Sequence, residues 1–319
     1  INMGDIETPS YLSDDKVQLL WNRFRRWNSV AVKKREDIEF WRRMTLICTI
    51  SGSICTTLAS QLSGDLSWGF SLFGGLILGV IPQIKQNQTS PTKVDEWIRS
   101  RTVAEHIKGQ IYLYRAGVKP YDKSSMATQT LMDKIDEIDD DAQDLRQYYV
   151  ICVADGKPAP PMLDRNAYID LRVKPQIENF FRREAKRLAT RGRRFDLLIK
   201  FLTVLAATVG FIVGSSGGME SGAGDASGTF MTIIHYIANN LGVWVAVITT
   251  ASAALSAQIG ETNPYEKSAL YSNAAQHLED LYLTLDDETV PGTPEWEIFV
   301  HDCENTINAL YKAWRSRKH

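Results

Sequence analysis

The chain has 319 residues, a formal net charge of −2 and a sequence pI near 6.3, so no bulk charge points to nucleic acid. Its four cysteines (Cys48, Cys55, Cys152 and Cys303) form no CxxC or Cys/His cluster, which leaves no basis for a zinc site or a disulfide framework. An apolar content of 44% is ordinary for a globular protein, so the information lies in how those residues are distributed.

From about residue 11 the first segment is charged and amphipathic, with Val17, Leu20, Trp21, Phe24 and Trp27 on one helical face. It passes through Arg42-Arg43 into Met44–Leu62, a run without Asp, Glu, Lys, Arg or His. Only Ser63, Gly64 and Asp65 separate this run from a second, Leu66–Ile84. About 20 helical residues cross the ~30 Å hydrocarbon core, and in lipid a helix is demanded because no water satisfies the backbone. The two runs therefore predict a transmembrane hairpin turning at Ser-Gly-Asp.

At about 100° per residue, Thr45, Thr49, Ser53, Thr56 and Ser60 gather on one side of the first run. Such a stripe can line a hydrated path, because hydroxyls partly replace ion hydration. It can equally bond back to its own helix or hold a neighbouring one. Gly75 and Gly79 in the second run are spaced for close helix packing, within the hairpin or between subunits. Pro82, near the inner end of that run, is placed to kink the helix, and Lys85 follows the run.

After Pro91 the pattern becomes amphipathic again over Arg101–Leu113. Leu131, Ile135, Ile138, Ala142, Leu145 and Tyr149 then follow coiled-coil spacing. The acidic run Asp133–Asp144 lacks the central Gly and closing Glu of a calcium loop, so it reads as a solvated helix face. The segment 151–163 is a linker.

The second half, 164–317, repeats the order. Ile177, Phe180, Phe181 and Leu188 share a face, and Arg193-Arg194 precede the apolar Leu197–Gly214. Ala206, Gly210 and Gly214 are again small residues at steps of four. A Gly/Ser-rich loop carrying Glu220 and Asp225 leads to Leu241–Ile259, where Thr249, Ser252 and Ser256 make a shorter hydroxyl stripe. Pro264, an amphipathic Ser272–Thr284, and Thr293-Pro294 as N-cap and first helical position follow. Trp296, Val300, Cys303, Ile307, Leu310 and Trp314 form the closing seam. The expected domains are therefore 11–150 and 164–317, each a two-crossing repeat with attached helices.

Cations flank the outer ends of both hairpins, whereas the interhelix loops carry only Asp65, Glu220 and Asp225. By the positive-inside rule both termini and the middle segment are cytoplasmic, and those three acids mark an outer mouth that would concentrate cations. No phosphate loop, nucleophile elbow or Rossmann fingerprint is present, so no enzyme and no cofactor is expected. One pair of hairpins is too few helices to surround a pore, so a homo-oligomer, dimer or tetramer, is expected.

The segment WIRSRTVAEHIKGQIYLYRAGVKPYD (Trp97–Asp122), placed just after a two-helix hairpin, resembles the SLATT group, the SMODS and SLOG-associating two-transmembrane effector domains. YIDLRVKPQIENFFRREAKR (Tyr168–Arg187) resembles the helix that leads into the hairpin in that group. The second half departs from the pattern, with Tyr271-Ser272 in the Trp/Arg region and no Gly-Val-Lys-Pro-Tyr tail, so no role of Arg101 carries over to it. The resemblance implies a pore-forming membrane effector of a conflict or stress response, with a nucleotide-signalling partner. The expectation is thus an all-α, multi-pass integral membrane protein. It acts on ions in a lipid bilayer as a cation-preferring channel controlled by its cytoplasmic helices, or alternatively as a non-conducting scaffold that recruits partners.

Overall fold

The computed structural model describes residues 10–121, 126–218 and 228–316, with side chains for 14–121, 126–214 and 240–310. Their only regular secondary structure is helical, with no strand among them. In chain order the helices are α1 (Ser10–Gln61), α2 (Asp65–Gln88), α3 (Pro91–Arg115), α4 (Ala127–Asp140), α5 (Arg146–Ile151) and α6 (Arg165–Tyr168), then α7 (Arg183–Gly218), α8 (Gly228–Thr262), α9 (Pro264–Thr284) and α10 (Pro294–Ser316). Two π-helical stretches, Ile169–Val173 and Gln176–Arg182, connect α6 to α7. They flank Pro175, which has no N–H to give and whose ring crowds the preceding turn; the wider turn relieves both problems without ending the helix.

Two compact units result, and each draws on both halves of the sequence. A helical unit comprises residues up to Asp37, Pro91–Lys186 and residues from Lys267 on. A hairpin unit comprises Ile38–Ser90 and Arg187–Glu266.

In the helical unit the expected faces are buried. Val17, Leu20, Trp21, Phe24 and Trp27 lie in the core, as do Ile107 and Ile111 of α3, Leu131 and Ile135 of α4, and Trp296, Val300, Cys303 and Ile307 of α10. Fully burying one such side chain stabilises by ~1.5–3 kcal/mol, which makes this the main source of cohesion. Thr293 accepts from the Trp296 amide at 3.3 Å, the cap expected from Thr-Pro. The seam from Leu131 to Tyr149 is broken after Asp140 by a 3₁₀ turn, Gln143–Leu145. Asp139 in the acidic run is not merely solvated: it accepts from the Trp27 indole N–H at 2.7 Å. The side chain of Trp314 lies outside the described residues.

In the hairpin unit, α1 and α2 approach at Gly52 and Gly74. A Cβ on Gly74 would stand 2.9 Å from Thr56 Cγ2 and 3.1 Å from the Gly52 carbonyl, and one on Gly52 would stand 2.7 Å from Leu78. The turn is made by Gly64 at φ +69°, a conformation that Gly reaches at little cost, and is tied by Ser67 donating to the Ala59 carbonyl at 2.7 Å. Three helical stretches, Asp65–Arg115, Arg165–Gly214 and Asn240–Thr284, hold 18-residue windows of mean hydropathy 1.4, 2.2 and 1.5, long and apolar enough to cross a membrane. Those windows are only 6%, 0% and 22% buried, and continuous apolar surface of that extent calls for lipid or another protein. Met44–Leu62, which up to Gln61 forms the end of α1, is not among the three, because its Ser, Thr and Gln residues lower its hydropathy.

Candidate functional site: a polar cavity in the hairpin unit

The hydroxyl stripe of α1 is ordered by its own backbone. Thr45 donates to the Trp41 carbonyl (2.9 Å), Thr49 to Thr45 (2.8 Å), Ser53 to Ile50 (2.9 Å), Thr56 to Gly52 (3.1 Å) and Ser60 to Thr57 (2.7 Å). Of the two readings open from sequence, back-bonding is what the hydroxyl protons do. Their oxygens retain acceptor capacity.

Of this stripe, Thr45 and Thr49 line a cavity of about 250 Å³ formed by α1, α2 and α8. Ser53, Thr56 and Ser60 are not part of its lining. Leu46, Ile81, Ala253, Ala254 and Ala257 make its apolar wall, while Arg42, Lys85, Gln258 and Glu261 supply the polar groups. From α8 the cavity takes Thr250 rather than Thr249, Ser252 and Ser256. Thr249 and Ser256 are exposed, and they donate to the Val245 and Ser252 carbonyls at 2.9 Å.

The polar groups are incompletely satisfied. Gln258 is 6% exposed, and its Oε1 has no hydrogen-bond partner. The Nε of Arg42 is likewise enclosed without a partner. Burial lowers the pKa of Arg42, opposed by the charges of Glu261 and Glu39. Lys85 pairs with Glu261 at 3.4 Å. Two cations against one carboxylate leave the cavity with one net positive charge.

Asp65 opens α2 as an exposed residue in its first turn, where a carboxylate also favours the helix N-terminus. Glu220 and Asp225 lie outside the described residues. A Cβ on Gly75, Gly79, Gly210 or Gly214 would meet nothing within 4 Å, and Ala206 is half-buried. The close approach between α1 and α2 is made by Gly52 and Gly74 instead, because only these glycines face the neighbouring helix.

A second polar cluster, in the helical unit, was not singled out from sequence. Arg172 (1% exposed) donates through Nε and Nη2 to Glu304 at 2.8 and 2.6 Å, and the Tyr168 hydroxyl donates to the same carboxylate at 3.1 Å. Gly109 leaves room for it: a Cβ there would stand 3.0 Å from Glu304 Oε2. Arg101 pairs with the buried Glu105 at 2.6 Å and donates to Asn28 at 2.6 Å. The available signal was a charge, Glu304, adjoining the apolar seam at Cys303. Lys34 and Arg35 pair with Glu96 (2.7 Å) and Glu184 (3.1 Å) inside this unit. Among the described residues no cluster of three or more His, Cys, Asp or Glu could hold a metal.

Residues 25–129, which include the first hairpin and α3, match a family described as a protein of unknown function (DUF4231). No curated protein and no solved structure matches the chain.

Proposed function

We propose that this protein is a membrane-embedded, oligomeric ion-conducting pore, with both hairpins inserted from the cytoplasmic side and the helical unit in the cytoplasm. The observation that carries this reading is the cavity at Thr45, Thr49 and Gln258, because polar groups set among membrane-crossing helices are costly and mark a pathway by default. The unpartnered Gln258 Oε1 and the hydroxyl oxygens would take over part of an ion's hydration shell. The exposed Gly75, Gly79, Gly210 and Gly214 would let helices of neighbouring subunits approach closely. Asp65, with Glu220 and Asp225, would bias the outer mouth towards cations. The similar order of helices in the two halves supports a duplicated two-crossing repeat. The resemblance to SLATT effectors supports a role in a conflict or stress response with a nucleotide-signalling partner.

The test is flux of potassium, sodium and chloride from liposomes holding the purified chain. Conduction that falls with Thr49→Val and loses cation bias with Asp65→Asn is the expected result. Flux indifferent to both would place any path elsewhere. A non-conducting scaffold is the second reading, favoured by the exposed Val150, Ile151 and Val153 (79%, 70% and 80% exposed), an apolar stretch open to a partner.

A further inference from the structure

We infer that the cavity between α1, α2 and α8 is a binding site for the headgroup of an anionic phospholipid. The inference rests on the bilayer part of the reading above and not on conduction, since a lipid seated here takes the Gln258 oxygen that an ion would otherwise use. The cavity has an excess of one positive charge from Arg42 and Lys85 over Glu261, which matches a single phosphodiester. The two orphaned atoms are of opposite kinds. Arg42 Nε is a donor that a phosphate oxygen satisfies, and Gln258 Oε1 is an acceptor that a headgroup hydroxyl satisfies. A phosphodiester bearing hydroxyls, as in phosphatidylglycerol, offers both.

Size and wall narrow the choice further. About 250 Å³ lies below the ~300–1,000 Å³ typical of pockets for drug-sized ligands, so a headgroup fits where a whole nucleotide does not. Leu46 and Ile81 line the same cavity with alanines of α8, giving a lipid's glycerol backbone and first methylenes an apolar path that a free phosphate cannot use. Arg42 lies just before the apolar Met44–Leu62 and Lys85 just after Leu66–Ile84, at the depth where a phosphate sits in a bilayer.

The experiment takes the full chain from bilayers of equal phosphatidylglycerol and phosphatidylcholine into neutral detergent and counts retained lipids by native mass spectrometry. The expected result is phosphatidylglycerol in excess, reduced about fivefold by Arg42→Gln, since each cation near a lipid surface carries roughly that factor. Gln258→Leu should lower retention of phosphatidylglycerol but not of phosphatidic acid, which lacks the headgroup hydroxyls. Arg43→Gln, at an exposed cation one residue away, should change nothing. Helical content and oligomer size of each variant are checked alongside. No preference for phosphatidylglycerol, or an equal loss in Arg43→Gln, overturns the site. Displacement of the lipid by soluble glycerol phosphate at equal concentration overturns its lipid character. Release of the protein from membranes by alkaline carbonate overturns the bilayer reading and this one together, whereas a retained protein without lipid preference overturns this one alone.

Discussion

Replacing Glu304 with alanine removes the carboxylate that receives two bonds from Arg172 and one from Tyr168, all in a region closed to water. Arg172 is 1% exposed and Glu304 2% exposed, so the stranded guanidinium has no route to solvent without opening the packing of α10 against the Arg165–Val173 segment. Removing one partner of a buried pair costs about 3–5 kcal/mol. The orphaned Tyr168 hydroxyl adds to that by up to ~1–3 kcal/mol, less whatever water enters the vacated volume. Glu304→Ala should therefore destabilise the helical unit by at least about 3 kcal/mol, while Arg172→Met with Glu304→Met should recover most of the loss, because neither member of the pair is left as an unpaired buried charge. Urea titration of the full chain in mild detergent, followed by tryptophan fluorescence, measures this directly, since the Trp296 ring lies 5.6 Å from that of Tyr168. A double variant as unstable as Glu304→Ala, or a single variant within ~0.5 kcal/mol of the parent, would refute the argument.

Gly74→Ala should cost ~1–3 kcal/mol by forcing α1 and α2 apart, whereas Gly75→Ala should leave the hairpin unchanged; thermal unfolding in detergent compares them. Gly75→Leu with Gly79→Leu should instead lower the oligomer size seen by light scattering, as those positions are open within the chain. Burial raises the carboxyl pKa of Asp139, against the Trp27 hydrogen bond and Arg23 that lower it. The folded state then keeps a proton that the unfolded chain has lost, so stability should fall as pH rises from the ordinary carboxylate value of about 3.9 up to the raised one, and level off above it. Asp139→Asn should remove that decline while preserving the acceptor for Trp27, a difference visible in urea midpoints between pH 3 and 7.

The sequence by itself determined the helices and which of them are apolar. Charge-free runs and periodic faces are properties of neighbours along the chain, and the seams Val17 to Trp27 and Trp296 to Leu310 are buried as their spacing requires, as are Leu131, Ile135, Ala142 and Leu145, with Ile138 half-buried between them. It located the Ser-Gly-Asp turn and the Thr293 cap for the same reason. Tertiary structure decided what is brought together from afar. Arg42, Lys85 and Gln258 become one cavity because α1, α2 and α8 meet there, and no spacing rule links residue 42 to residue 258. Which glycines make close contacts also depends on which helix stands opposite, so Gly52 and Gly74 serve where Gly75 and Gly79 share the same local pattern. The Arg172–Glu304 pair was hidden for the same reason. A charge beside a heptad seam reads as surface until a second helix, 132 residues away, supplies the opposite charge and closes the space around both.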